Sequence, residues 1–175
     1  VIPVPDSGVP CALGYSEESG LPYRMGLLKN RYIGRTFIQP TQIMRDKSVH
    51  LKLNPIKETL QGKRVVVVDD SLVRGTTSRQ IISMLREAGA IEVHLVLGSP
   101  PVKFGCPYGI DTKPSQLIAV KQTKEQICEY IGADSLHYLS IEGMLQATRQ
   151  DPNHFCTACF SGEYIVKPCP FQNKK

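Results

Sequence analysis

Four consecutive valines, Val65 to Val68, run straight into Asp69-Asp70 and then into Ser71-Leu72-Val73-Arg74-Gly75-Thr76-Thr77-Ser78. An unbroken β-branched run bounded by Gly62 and by two acids reads as a strand buried on both faces. The segment that follows, Thr76–Ala88, places Ile81, Ile82 and Leu85 on one side and meets Gly89, which predicts an amphipathic helix with a glycine stop. Val93–Leu97 is the next strand-like run. A buried strand, a short loop, a helix and a second apolar strand make a right-handed βαβ unit, and that unit requires parallel pairing.

The remaining pattern continues the alternation. Val1–Val4 reads as a strand ending in a Pro-Asp-Ser-Gly turn, and Pro10–Ser19 as a helix stopped by Gly20 with Pro22 beyond it. Arg24–Pro40 has no clean period, and Thr41–His50 reads as a helix. Thr123–Ile131 is a helix whose Thr-x-x-Gln start resembles a capping box. His137–Leu139 is a short strand and Ser140–Thr148 a final helix. The expected architecture is α/β, a mostly parallel sheet flanked by helices over residues 1–150. After Gln150 the composition turns rich in Pro, Cys and Lys, so residues 151–175 read as a tail pinned by something other than a core.

Composition narrows the partners. Of 175 residues, 41% are hydrophobic and 21% charged, ordinary values for a globular protein with a real core. The net charge of +5 is spread along the chain, and no nucleic-acid-binding motif accompanies it, so no nucleic acid is expected. The apolar runs are too short for a membrane span, and no signal peptide opens the chain. A cytoplasmic protein is expected. The chain starts at Val1 without a methionine and enters a strand at once, which reads as a fragment of something longer.

The loop after the valine strand carries the chemistry. In an open parallel sheet, ligands bind at the carboxyl ends of strands. Gly75 and the hydroxyl residues Thr76, Thr77 and Ser78 stand at a helix start, where backbone N–H groups and the helix dipole favour a phosphate. Asp69 and Asp70 would repel that phosphate. They suit a diol, whose hydroxyls donate to carboxylates, or a magnesium ion. One ligand satisfies both halves: a ribose 5-phosphate. No Gly-x-x-x-x-Gly-Lys or Gly-x-Gly-x-x-Gly is present to suggest a nucleotide loop of another kind.

The whole string from Val65 to Ser78 resembles the 5-phosphoribosyl-1-pyrophosphate (PRPP) signature of type I phosphoribosyltransferases. Ile2-Pro3-Val4-Pro5-Asp6-Ser7-Gly8, Lys29-Asn30-Arg31-Tyr32-Ile33-Gly34-Arg35-Thr36-Phe37-Ile38 and Gly109-Ile110-Asp111 resemble more narrowly the glutamine PRPP amidotransferases of purine synthesis. The likeness runs from Val1 to about Tyr164. It implies the type I phosphoribosyltransferase fold. It implies that Asp6, Ser7 and Gly8 form the pyrophosphate loop and that Arg74, Gly75, Thr76 and Thr77 hold the 5-phosphate, with Ser71 beside them. It assigns magnesium to Ser7, Asp69 and Asp70. Lys29–Phe37 would fold over bound PRPP, with Lys29, Arg31, Tyr32 and Arg35 in the catalytic role. Basic residues hinged by Gly26 and Gly34 suit closure over pyrophosphate.

The reaction so implied is displacement of pyrophosphate by ammonia, giving 5-phosphoribosylamine. In the family the ammonia comes from glutamine at an N-terminal glutaminase domain whose nucleophile is a cysteine opening the chain, and no such domain is found in this sequence. Feedback by purine nucleotides and a homo-oligomeric state are implied as well.

Six cysteines remain, and a disulfide framework is a poor reading for a chain of this length. Cys11 and Cys128 sit in apolar helical contexts and read as buried spectators. Cys156-Thr157-Ala158-Cys159 is a C-x-x-C pair, open to a metal, a redox dithiol or coincidence. A zinc site would draw on Cys106, Cys169 or His154 for further ligands. The family resemblance implies instead a [4Fe-4S] cluster on Cys106, Cys156 and Cys159, with a fourth ligand upstream of Val1. Phe104-Gly105 before Cys106 and the additional Cys169 depart from the family pattern. Two other functions compete: a salvage phosphoribosyltransferase acting on a nucleobase, and a non-catalytic PRPP sensor. The Lys29–Phe37 string and the cysteines argue against the first. The retained basic residues argue against the second.

Overall fold

A computed structural model describes residues 1–30, 32, 53–110 and 112–166. The expected helix Thr41–His50, together with Arg31, Arg35, Asp111 and Cys169, lies outside the described residues. The elements are β1 (Ile2–Pro3), α1 (Val9–Ser19), β2 (Leu27–Lys29), β3 (Leu53–Pro55), α2 (Lys57–Leu60), β4 (Arg64–Asp69), α3 (Thr76–Glu87), β5 (Glu92–Leu97), α4 (Ile118–Lys121), α5 (Lys124–Ile131), β6 (Ser135–Tyr138), α6 (Ile141–Ala147) and α7 (Ala158–Ser161).

The main sheet has the order β1-β4-β5-β6 and is parallel throughout. Its register aligns Val67 with Leu95 and Leu95 with Leu136, so the same side of three strands is apolar. That side meets Ile81, Ile82 and Leu85 of α3 and Ile127 and Ile131 of α5 in one core. The period-3.6 stripe on α3 and the valine run on β4 therefore meet as the sequence predicts. Val66 is half-buried while Val65, Val67 and Val68 are buried, so β4 is covered on both faces as a central parallel strand should be.

The helix ends follow local chemistry. Thr123 accepts from the N–H of Gln126, and the Gln126 side chain accepts from the N–H of Thr123, which completes the expected capping box on α5. Ser140 caps α6 with a single bond, its hydroxyl accepting from the N–H of Gly143. The last strand, however, covers Ser135–Tyr138 rather than His137–Leu139. Pairing with His94–Leu97 of β5 fixes its start, and Leu139 turns outward into the following loop.

One element left no trace in the sequence pattern. β2 and β3 form a separate antiparallel ribbon, Leu27 opposite Pro55 and Lys29 opposite Leu53. It is anchored on β1, where an added Cβ on Gly26 would lie 2.8 Å from the Ile2 side chain.

Candidate phosphoribosyl site and cysteine group

β1 and β4 end side by side, and their loops share one small space. The N–H of Val4 donates to the carbonyl of Val68 at 2.8 Å. The Asp6-Ser7-Gly8 loop then turns back, with the Gly8 N–H on the Val4 carbonyl at 2.9 Å, and leads into α1. The Pro5–Asp6 peptide bond is cis. A Cβ built on Gly8 would stand 2.3 Å from the Val68 oxygen and 2.9 Å from the Val4 oxygen. Both are backbone atoms and neither can yield. Gly8 is thus what lets the loop lie against the end of β4, as a close-approach glycine does. Gly8→Ala should lower stability by about 3 kcal/mol, because the loop must leave the strand. Urea unfolding checks this, and an unchanged midpoint would show that the two loops do not press together.

The two acids differ in setting although they are adjacent. Asp69 is only 8% exposed. Its carboxylate accepts from the N–H of Asp70 at 2.9 Å. Burial pushes its carboxyl up to about 7, against that hydrogen bond and with help from the neighbouring Asp70 charge. Asp70 is exposed and accepts from the hydroxyl of Ser71 at 3.1 Å. A buried, protonation-prone carboxyl beside an exposed one is suited to a ligand that brings either hydroxyl donors or positive charge.

The phosphate half follows at once. Gly75 precedes α3 in the left-handed region at φ 77°, where a side chain would be strained and would also crowd Ile118 and Tyr130. No side chain caps α3. Its first-turn amides are therefore left without a side-chain cap, and the half-buried Thr76 and the exposed Thr77 stand beside them, as an anion site would require. Arg74 is exposed on this loop and donates to the Gln116 side chain at 2.6 Å.

Lys29 reaches the site from the ribbon. Its Nζ lies 2.6 Å from Asp6 Oδ2, joining β2 to the Asp6-Ser7-Gly8 loop. Tyr32 follows with its side chain wholly exposed and its N–H on Asn30. The structure so joins Asp6, Ser7 and Gly8 to Lys29 and to the end of β4 at Asp69, from which Asp70, Ser71, Arg74, Gly75, Thr76 and Thr77 follow along the chain. The Lys29 and Arg74 partners were not visible in the sequence, where they stand 23 and 42 residues away.

Cys106, Cys156 and Cys159 form a second locality. The carbonyl of Cys159 accepts from the N–H groups of Lys103 and Phe104, both at 3.0 Å. Cys106 donates its N–H to Thr112, and Tyr164 donates to the Gly105 carbonyl at 2.6 Å. The tail is therefore fastened to the segment after β5 by main-chain bonds, the Tyr108–Tyr164 edge contact and the buried Ala158. Burial raises the Cys159 thiol, opposed by a backbone hydrogen bond, and the charges of Cys106 and Cys156 raise it further. The pair straddles a helix start, that of α7. Among the described residues, no three His, Cys, Asp or Glu side chains form a group that could hold a single metal ion. Cys11 and Cys128 are half-buried rather than fully buried.

Residues 1–98 match the phosphoribosyl transferase domain family, which is more than half of the chain. The chain belongs to that family. This phosphoribosyl transferase domain is 60% identical to the amidophosphoribosyltransferase of Synechocystis sp. over 167 residues, covering 95% of this chain and 34% of that protein. It is 52% identical to the chloroplastic amidophosphoribosyltransferase 1 of Arabidopsis thaliana, over all of this chain and 31% of that protein. A solved glutamine PRPP amidotransferase of B. subtilis, complexed with ADP and GMP, superposes with a TM-score of 0.84 at 49% identity, covering 97% of this chain and 38% of the other. The chain spans about a third of the length of these relatives. No helix among the described residues is long and apolar enough to cross a membrane.

Proposed function

We propose that this phosphoribosyl transferase domain binds PRPP and transfers its phosphoribosyl group to ammonia, as the synthetic half of an amidophosphoribosyltransferase. The observation that carries the reading is the meeting of two loops: the Asp69–Asp70 pair with an uncapped helix start on one side, and the Gly8 loop pressed against the same strand end on the other. The 5-phosphate sits at Arg74–Thr77. The ribose hydroxyls donate to Asp69 and Asp70. The pyrophosphate lies on the Asp6–Gly8 loop near Lys29. Ammonia adds to the anomeric carbon as the bond to pyrophosphate breaks, and pyrophosphate leaves with the bonding electrons. The nitrogen then loses a proton. The protein needs no covalent nucleophile, because orientation and charge supply the acceleration.

The donor set fits magnesium, since Asp69, Asp70 and Ser7 offer hard oxygen ligands and a buried carboxyl in want of positive charge. When bound, magnesium would offset charge on the departing pyrophosphate. For the cysteines, thiolates of Cys106, Cys156 and Cys159 would hold an iron-sulfur cluster, and Cys106 and Cys156 lie near enough to Cys159 to act on its thiol. Glutamine as nitrogen source, and purine nucleotides as inhibitors, belong to the whole enzyme of which this reading makes the domain a part.

The test is PRPP turnover by these 175 residues with ammonia or with glutamine, following pyrophosphate release and glutamate. Ammonia should support slow phosphoribosylamine formation, and glutamine none. Transfer to a purine base in place of ammonia would favour a salvage enzyme. Glutamate release from glutamine would show that the division of labour is wrong.

A further inference from the structure

Arg74 is the cation of the 5-phosphate loop, and a distant segment holds it. Its Nη2 donates to Oε1 of Gln116 at 2.6 Å. Gln116 closes the 3-10 turn Pro114–Gln116, whose own bonds run from the Gln116 N–H to Lys113 and from the Leu117 N–H to Pro114. Leu117 is fully buried and fixes the turn to the body. The next residue, Ile118, donates its N–H to the carbonyl of Val73 at 2.9 Å, and its side chain stands against Gly75. One short segment therefore grips the loop twice, by main chain at Val73 and by side chain at Arg74.

The chemistry of the gripping group is informative. A carboxylate at this place would bind the guanidinium more strongly but would cancel its charge. A neutral amide oxygen fixes the direction of the planar fork and leaves the full positive charge for an incoming anion. The segment also lies beyond residues 1–98, outside the part that matches the family at large. We propose that Gln116 is a positioning residue, a neutral acceptor that holds Arg74 in register with the substrate's 5-phosphate. This rests on the PRPP reading of the site and adds to it the residue that sets the phosphate end.

Ribose 5-phosphate and pyrophosphate separate the two ends of the site, so both are titrated calorimetrically, with magnesium, into the complete gene product. Gln116→Glu keeps the shape and changes the charge, and should weaken ribose 5-phosphate by roughly tenfold or more. Gln116→Ala should weaken it by roughly three- to tenfold. Pyrophosphate affinity should stay at the wild-type value in both. In turnover the KM for PRPP should rise with little change in kcat, since a remote phosphate is held equally in ground and transition states. Gln116→Met, similar in length but without the acceptor, carries the same test should the glutamate disturb folding. Wild-type ribose 5-phosphate affinity in Gln116→Glu and Gln116→Met would overturn the assignment. Equal loss of both ligands would overturn it too, by showing a general structural role. If the unaltered protein binds pyrophosphate but not ribose 5-phosphate, the reading of the loop itself fails and Gln116 falls with it.

Discussion

Replacing Asp69 and Asp70 together by asparagine is expected to lower PRPP affinity by roughly a hundredfold or more, because two charge-assisted acceptors for the ribose hydroxyls are lost. The same change should make the empty protein more stable at alkaline pH. In the folded chain burial holds the Asp69 carboxyl up at about 7, whereas in the unfolded chain it ionises near 3.8. Between those values the folded state keeps a proton that the unfolded state has released. Stability therefore falls as pH rises through that window and is fully reduced above it. At pH 8 this costs on the order of a few kcal/mol. Asparagine can still accept the Asp70 N–H and carries no charge, so the falling limb should flatten. Denaturant midpoints from pH 4 to 8.5, beside PRPP titrations with magnesium, check both halves. Retained affinity would remove the ribose from this site, and an unchanged pH slope would show that Asp69 is not desolvated in solution.

The second large effect concerns the cysteines. The complete gene product purified without oxygen should be brown, with iron and sulfide, and Cys156→Ser should lose both. Cys156 is exposed while Cys106 and Cys159 are half-buried and tied by main-chain bonds. Removing it should therefore strip the cluster with little injury to the fold of the tail. Circular dichroism and a metal analysis suffice. Colourless protein carrying stoichiometric zinc would replace the cluster by a zinc site.

What could be read in advance divides along physical lines. The β4-loop-α3 unit was legible because each part has a local cause: a β-branched run, a turn glycine, an amphipathic stripe. The capping box at Thr123 was legible for the same reason. The β2–β3 ribbon was not. Its strands are three residues each and find one another across a long intervening stretch, so neither shows a period of its own. Nor could the sequence place Asp6 on Lys29 or Gln116 on Arg74, because such pairs arise when separate elements converge. The shift of β6 to Ser135–Tyr138 has a similar origin, since register with β5 sets the strand and not its own alternation. Resemblance to known sequences filled some of these gaps, by naming loops whose partners no local pattern reveals.

The strand pairing also orders how the site comes together. β4, α3 and β5 are neighbours in the chain, and the Asp69–Thr77 arm can form from local contacts. β1 joins β4 only by bringing Ile2 to Val67 across the whole ribbon and the stretch between its strands. Closing so long a loop costs chain entropy, and few residues of β1 repay it. The Asp6–Gly8 arm is thus expected to assemble after the Asp69–Thr77 arm and to be lost before it. On the proposed reading, a molecule with a phosphate at one end and a pyrophosphate at the other would touch both arms at once, and PRPP would act as a staple across the longest-range pairing of the sheet.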